Sequence, residues 1–195
     1  MQRRASAGYS AIELLIVLAI AGTLAAMVVP ASTSMVNDYR LSGDAHGVSD
    51  SVALAKMSAA AQFTRARLFV DLTAGTHRVE IWDKTVPGWV ADSGTTYLSV
   101  GDTFGFGTIS VAPPNSQPAV AQAPACLNSA GVAIANTACV LFNSRGISVD
   151  DVGAVSAVRV IYVSGPTGVF AVVVEGTSQL QVWRISPGGG AWAQQ

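Results

Sequence analysis

Glu13 is the only charged residue between Arg4 and Asp38. It stands at the head of a long apolar run, and a carboxylate there calls for a counter-charge. An unpaired charge at the centre of a membrane helix costs about 2.5–3.5 kcal/mol, whereas a carboxylate at a helix N-terminus is favoured by the macrodipole. Cys126 and Cys139 are the only thiols. With no Cys-x-x-Cys and no Cys/His cluster, zinc is not indicated. In an exported domain they read as a disulfide closing a loop of about 14 residues, with a contribution of about 3 kcal/mol; in a reducing compartment they read as two buried thiols. His46 and His77 show no sign of cooperating and read as surface or packing residues. Asp150 and Asp151 could offer oxygen ligands to a cation, but without further spaced carboxylates a solvated turn is the simpler reading. Gly188, Gly189 and Gly190 lack the following helix of a phosphate-binding loop. Ser144-Arg145-Gly146 reads as a turn before a strand rather than a nucleophile elbow. Trp82, Trp89, Trp183 and Trp192 read as packing residues. These residues assemble into no catalytic constellation, and the sequence points to no enzyme, cofactor or metal.

The elements that carry these residues are set by composition and period. The chain is half hydrophobic and only 12% charged, with a net charge of −1. From Asp38 onward nine basic side chains face eleven acidic ones, which argues against strong nucleic-acid binding. Residues 14–37 carry no charge, and a helix of about 20 apolar residues can span a bilayer. Arg3 and Arg4 on the flank place the N-terminus in the cytoplasm and the remainder outside.

A cleaved secretory signal and an ordinary signal anchor both fit that pattern. Neither accounts for Glu13 or for the small residues 5–8. The stretch "GYSAIELL" (8–15) accounts for both. A basic leader, glycine, aromatic residue, Ser, two residues, Glu and an apolar helix resemble the type IV prepilin signal. Gly22 and Pro30 fall where many pilins carry a glycine and a proline. The departures are Tyr9 for the commoner Phe and Ser10-Ala11 for Thr-Leu. The resemblance implies cleavage between Gly8 and Tyr9 by a prepilin peptidase, N-methylation of Tyr9, and retention of the helix in the inner membrane and then in a filament. Glu13 would then sit one helical turn from the new amine, its own or a neighbour's. Gly22 and Pro30 would mark the stretch most able to unwind.

Beyond that run, "SVALAKMSAAAQFTRARL" is Ala- and Leu-rich, with Val52, Met57, Ala60 and Phe63 forming an apolar stripe. One helix is predicted to about residue 62, kinked near Gly43, with Ser49 or Asp50 available to cap a restart. The period then changes to two. Residues 65–72 and 77–83 form a hairpin, with Val79 and Ile81 on one face and Arg78, Glu80 and Trp82 on the other. Further strands are predicted at 96–100, 104–111, 138–143, 156–164, 168–175 and 178–185. "VFAVVVE" is continuously apolar, as for a strand covered on both faces. Residues 112–137 read as a long loop anchored by the Cys126–Cys139 bridge, and the tail from 186 as flexible.

The predicted fold class is α+β: a long N-terminal hydrophobic helix followed by an antiparallel β-rich globular domain, in agreement with pilins. The expected boundaries are a leader at 1–8, a helix at 9–62 with 9–31 in the membrane or filament core, and the β-rich domain at 63–195. The Ala-rich helix leading into a hairpin, "VLFNSRGIS" and the terminal strands resemble minor pseudopilins of the GspH/FimT type over about half of the chain. That resemblance implies a minor subunit of a type II secretion pseudopilus or a type IV pilus. Its partners would be other pilin or pseudopilin subunits, the prepilin peptidase and methylase, and the inner-membrane assembly platform. The alternative is a filament-tip adhesin or a DNA-uptake minor pilin. Some fimbrial members bind DNA through a C-terminal arginine motif. Here that region holds only Arg184, with Arg145 and Arg159 elsewhere, so DNA binding does not carry over.

Overall fold

The computed structural model describes residues 10–195, apart from the side chains of residues 27–31. The leader, its cleavage point at Gly8 and Tyr9, and the ring of Pro30 lie outside the described residues. The chain divides into two compact units, Met1–Val36 and Asn37–Gln195. A single helix, α1 (Ala11–Ala61), contributes to both.

α1 starts at a side-chain cap. The Ser10 hydroxyl accepts the Glu13 backbone N–H at 3.2 Å, meeting one of the donors that a helix start leaves unpaired. The end of α1 is equally defined. Phe63 takes a left-handed conformation (φ 49°), and the N–H groups of Phe63 and Thr64 bond back to the carbonyls of Ala60 and Ala59. This is a Schellman closure, where glycine is the usual residue.

No break occurs near Gly43, and α1 runs through the positions expected to cap a restart, Ser49 and Asp50. Each glycine costs the helix about 1 kcal/mol relative to alanine. The burial of one face outweighs that cost: Leu41, Ala45, Val48, Val52, Ala55 and Ala59 are all at 0% exposure, spaced at the helical period. The predicted stripe is corrected accordingly. Val52 belongs to it, but Met57 is 62% and Phe63 76% exposed, and Ala60 is exposed. Alanines at 45, 55 and 59 let the sheets approach closely, so the buried face is made of smaller side chains than hydropathy alone selects.

The strands are β1 (Ala66–Asp71), β2 (Thr76–Asp83), β3 (Gly88–Ala91), β4 (Thr96–Tyr97), β5 (Thr103–Phe104), β6 (Thr137–Phe142), β7 (Ser148–Val149), β8 (Arg159–Gly165), β9 (Gly168–Val174), β10 (Leu180–Ile185) and β11 (Ala193–Gln194). They form two antiparallel sheets. The first has the order β3-β2-β1-β6-β7 with β4 also on β2, and the second β11-β10-β9-β8-β5. The β1–β2 hairpin closes as predicted, with Asp71 opposite Thr76. The Asp71 carboxylate accepts the N–H groups of Thr73 and Ala74, an Asx turn. Asp83 makes the same turn into β3 through Thr85 and Val86. Those bonds hold its carboxyl below its ordinary pKa.

One core joins the buried face of α1 with Leu68, Val70, Val79, Val140 and Phe142 of the first sheet and Ile161, Val163, Phe170 and Val172 of the second. A smaller core lies on the other face of the second sheet, around Val160, Tyr162, Ala171 and Val173. β9 is therefore buried along its whole length, as its unbroken apolar run predicts. The tail departs from the expected flexibility. β11 pairs with Trp183 and Arg184 of β10, and Trp192 packs on Tyr162 while its indole N–H donates to the Val111 carbonyl at 2.9 Å. The predicted strand at 104–111 shrinks to β5 and that at 96–100 to β4, whereas β3, β7 and β11 were not signalled by any period-two run long enough to read.

Candidate functional site

Three regions of the molecule carry the residues singled out above. The first is the start of α1. Glu13 lies in the first helical turn, and Ser10 with Glu13 forms the S-x-x-E spacing of a helix-start capping box. That local signal gives Glu13 a second role beside charge pairing. Ile12, Leu14, Leu15, Ile16, Val17, Leu18, Ile20 and Leu24 are all more than half exposed. A cluster of that size calls for a covering partner or lipid. Among the described residues no helix is long and apolar enough to cross a membrane; the expected span 9–31 includes Tyr9 and the side chains of 27–31, which lie outside them. α1 is unbroken at Gly22 and at position 30.

The second region is the disulfide and the segment it holds. Cys126 and Cys139 are bonded, with 5.0 Å between their Cα atoms. The predicted loop at 112–137 is a strap stitched to both sheets. Gln122 pairs its side-chain amide with the N–H and carbonyl of Tyr162, each at 2.9 Å. The Ala123 N–H donates to Val160, and Pro124 accepts from Cys139. The Asn128 carboxamide closes a turn on Ala130 and Val132.

The strap creates the third region. It lies over the outer face of the first sheet, where sequence alternation placed Arg78, Glu80 and Trp82 together. Arg67, opposite Glu80 in the β1–β2 register, is drawn beneath it. Arg67 Nη1 donates to the Leu127 carbonyl at 2.6 Å. Its Nε and Nη2 reach Glu80 Oε2 at 2.7 and 2.6 Å, with side-chain exposures of 5% and 6%. Arg78 takes the other oxygen, with Nε at 2.8 Å and Nη2 at 2.6 Å from Oε1. Burial pushes the Arg67 guanidinium below its ordinary pKa, and Glu80 opposes that shift. Aromatic faces complete the array. Arg67 lies 4.0 Å over Trp89, Arg65 lies 4.6 Å over Trp82, and Arg78 lies 4.2 Å over Phe69. Trp82 and Trp89 meet edge to face at 5.3 Å. Between Arg65, Arg67, Trp82, Trp89 and the strap there is a cavity of about 130 Å³, with Asp151 on its rim.

Asp150 closes its own turn on Val152 and Ala154, and Asp151 lines the cavity beside Arg65 and Arg67. Among the described residues no three His, Cys, Asp or Glu side chains group as metal ligands. Arg184 is ion-paired with Asp38 of α1. His46 is exposed. His77 is 2% exposed, edge-on to Phe104, and neither ring nitrogen has a hydrogen-bond partner among the described residues; burial lowers its pKa.

Near His77, α1 carries Asp44, which accepts the Ser99 N–H at 2.6 Å and its hydroxyl at 3.1 Å. Asp102 joins this pocket. Burial first, then a shared proton with Asp44 and the Asp44 charge, push its carboxyl up to about 6, against the pull of Arg40. A side chain at Gly165 would displace the Asp102 carboxylate and press on Leu41. Because the folded value lies above the ordinary one, the stability from Asp102 is fully present below about pH 4 and is lost as pH rises through about 6. His77 acts in the opposite sense: its lowered value makes stability fall as pH drops below about 6.5. Asp102→Asn leaves His77 untouched. The variant is expected to be more stable than wild type near pH 7 by about 1 kcal/mol, since the group retains partial contact with water. The advantage should vanish near pH 4. Denaturant titrations of both proteins across that range check it, and parallel pH profiles would contradict it.

No protein-family model matches the sequence, and no curated protein matches it. Among solved structures the chain is similar to the minor pseudopilin EpsH from the type 2 secretion system of Vibrio cholerae, at 12% identity, covering 74% of this chain and 94% of that one, with a TM-score of 0.45.

Proposed function

We propose that this chain is a structural minor subunit of a type II secretion pseudopilus or a type IV pilus, and that it catalyses no reaction. The observation that carries the reading is the pairing of two features at the N-terminus. The stretch "GYSAIELL" has the order of a prepilin signal, and it leads into a helix whose apolar side chains from Ile12 to Leu24 are largely exposed. The Asn37–Gln195 unit, by contrast, has its own closed core. In this reading the peptidase cuts between Gly8 and Tyr9, Tyr9 is N-methylated, and residues 9–31 hold the chain in the inner membrane with its sheets on the periplasmic side. The same helix then packs against other subunits in the filament core. Glu13 meets the amine of Tyr9 or of a neighbour, while Gly22 adds backbone freedom and Pro30 removes a helix hydrogen bond, so the stretch between them can unwind on incorporation. The alternative roles, tip adhesin or DNA-uptake subunit, have less support, because the strap is tied to both sheets and Arg184 is engaged by Asp38.

The processing step is tested by intact mass after co-expression with a prepilin peptidase and methylase. The expected product begins at Tyr9 and carries one added methyl group. A product retaining residues 1–8, or one beginning after Ala31, overturns the proposal. The role of Glu13 is tested with two variants. Glu13→Gln keeps the capping-box geometry and removes the charge; Glu13→Ala removes both. If the carboxylate pairs with an amine, both variants are cleaved normally and both fail to enter filaments. Normal assembly of Glu13→Gln would reduce Glu13 to a helix cap.

A further inference from the structure

The cavity beneath the strap has the wrong size for a metabolite and the right chemistry for one side chain. Small-molecule sites usually enclose about 300–1,000 Å³; this one encloses about 130 Å³. Its walls are cationic and aromatic. Glu80 serves both Arg67 and Arg78, while Arg65 has no carboxylate within ion-pair distance among the described residues and is held only by the face of Trp82 and, at 5.8 Å, that of Trp89. Counting the rim residue Asp151, the three guanidiniums face two carboxylates, so the site keeps a positive charge within a chain of net charge −1. Arg67 has five N–H donors, and three are used on Glu80 and Leu127.

The surface beside the cavity is built for contact. An adjoining cavity shares Arg65 and Trp82 and is lined by Phe63 and Lys84. Phe63 is exposed and occupies a left-handed position that glycine would fill at lower cost. Lys84 donates to the Phe63 carbonyl at 2.6 Å, fixing that backbone. The ring therefore stands on the surface at the cost of backbone strain. Arginine and tryptophan are the side chains that most often anchor protein interfaces.

We infer that this cleft receives a single acidic side chain of a partner protein, its carboxylate held by the Arg65 guanidinium and the free donors of Arg67, and its methylenes resting on Trp82 and Trp89. The inference does not depend on the filament reading, since the cleft lies wholly within the Asn37–Gln195 unit. Asp151 on the rim competes for the same cations.

The test uses the full chain in a non-ionic detergent, with the indole N–H signals of Trp82 and Trp89 followed by NMR. The probe is acetyl-glutamyl amide, and acetyl-glutaminyl amide is its neutral counterpart. The glutamyl probe is expected to shift both signals saturably, with a dissociation constant on the order of millimolar, and the neutral one is expected to leave them in place. Arg65→Gln should weaken binding about fivefold, with an unchanged denaturation midpoint because Arg65 is exposed. Asp151→Asn should tighten binding about twofold. Equal responses to the two probes, wild-type affinity in Arg65→Gln, or tighter binding of inorganic phosphate than of the glutamyl probe would each overturn the assignment.

Discussion

Glu80→Ala is expected to destabilise the protein by about 3–5 kcal/mol, the cost of leaving a buried charge without its partner. Native domains retain only about 5–15 kcal/mol of stability, so this one change removes a large share. Both Glu80 oxygens are committed, Oε2 to Arg67 and Oε1 to Arg78. Arg78 keeps 31% side-chain exposure and can turn to water. Arg67, at 5%, is far more confined, and it is left with the Leu127 carbonyl, the faces of Trp89 and Phe69 and the more distant charge of Asp151. The distinguishing experiment adds Arg67→Met with Glu80→Leu. Removing both charges removes both desolvation costs, so the double variant should recover to within about 1–2 kcal/mol of wild type. Denaturant midpoints of the three proteins decide the matter. A single Glu80→Ala variant within about 1 kcal/mol of wild type would mean that the pair is wetter than its geometry indicates.

The burial of that pair explains where sequence reasoning stops. Alternation in "HRVEIWD" correctly separates Val79 and Ile81 from Arg78, Glu80 and Trp82. Alternation reports which residues share a face. It does not report what covers the face. Here the cover is residues 124–131, more than forty positions further along the chain, and nothing local in β1 or β2 announces it. The hairpin, the terminal meander and the doubly covered β9 were legible because their period or their unbroken apolar character is a property of the strand itself. The disulfide was legible from cysteine count once an exported domain was assumed. α1 was legible as a helix, but its buried face was misplaced, because Ala45, Ala55 and Ala59 pack closely while the more hydrophobic Met57 and Phe63 face outward. The S-x-x-E spacing at Ser10 and Glu13 is a local cap signal that the sequence carries in full. The left-handed Phe63 had no signal at all, since glycine is the residue that ordinarily marks such a helix end.

Removing the disulfide should both destabilise the fold and change how much Glu80 matters. Cys126 and Cys139 are separated by 13 positions, and opening a loop of that size costs about 3 kcal/mol in the chain-entropy model. Cys126→Ala with Cys139→Ala is therefore expected to lower stability by about that amount. The strap keeps its hydrogen bonds to Tyr162 and Val160 of β8 and to Thr137 and Cys139 of β6, so the fold survives, but without the covalent tie the stretch around Leu127 is held to β6 by hydrogen bonds alone. Leu127 then retreats from Arg67, and water reaches the ion pair. Charges in water lose little when separated, so Glu80→Ala should cost less in the disulfide-free background. A cycle of four proteins — wild type, Glu80→Ala, the two-cysteine variant and their combination — measures the difference. Groups that share a network couple by about 0.5–3 kcal/mol, whereas independent sites add within about 0.5 kcal/mol. If the strap shields the pair, the combined loss falls short of the separate losses by at least about 1 kcal/mol. Strict additivity would show that Arg67 and Glu80 are kept dry by Trp89 and the sheet alone, with the disulfide acting only on the unfolded chain.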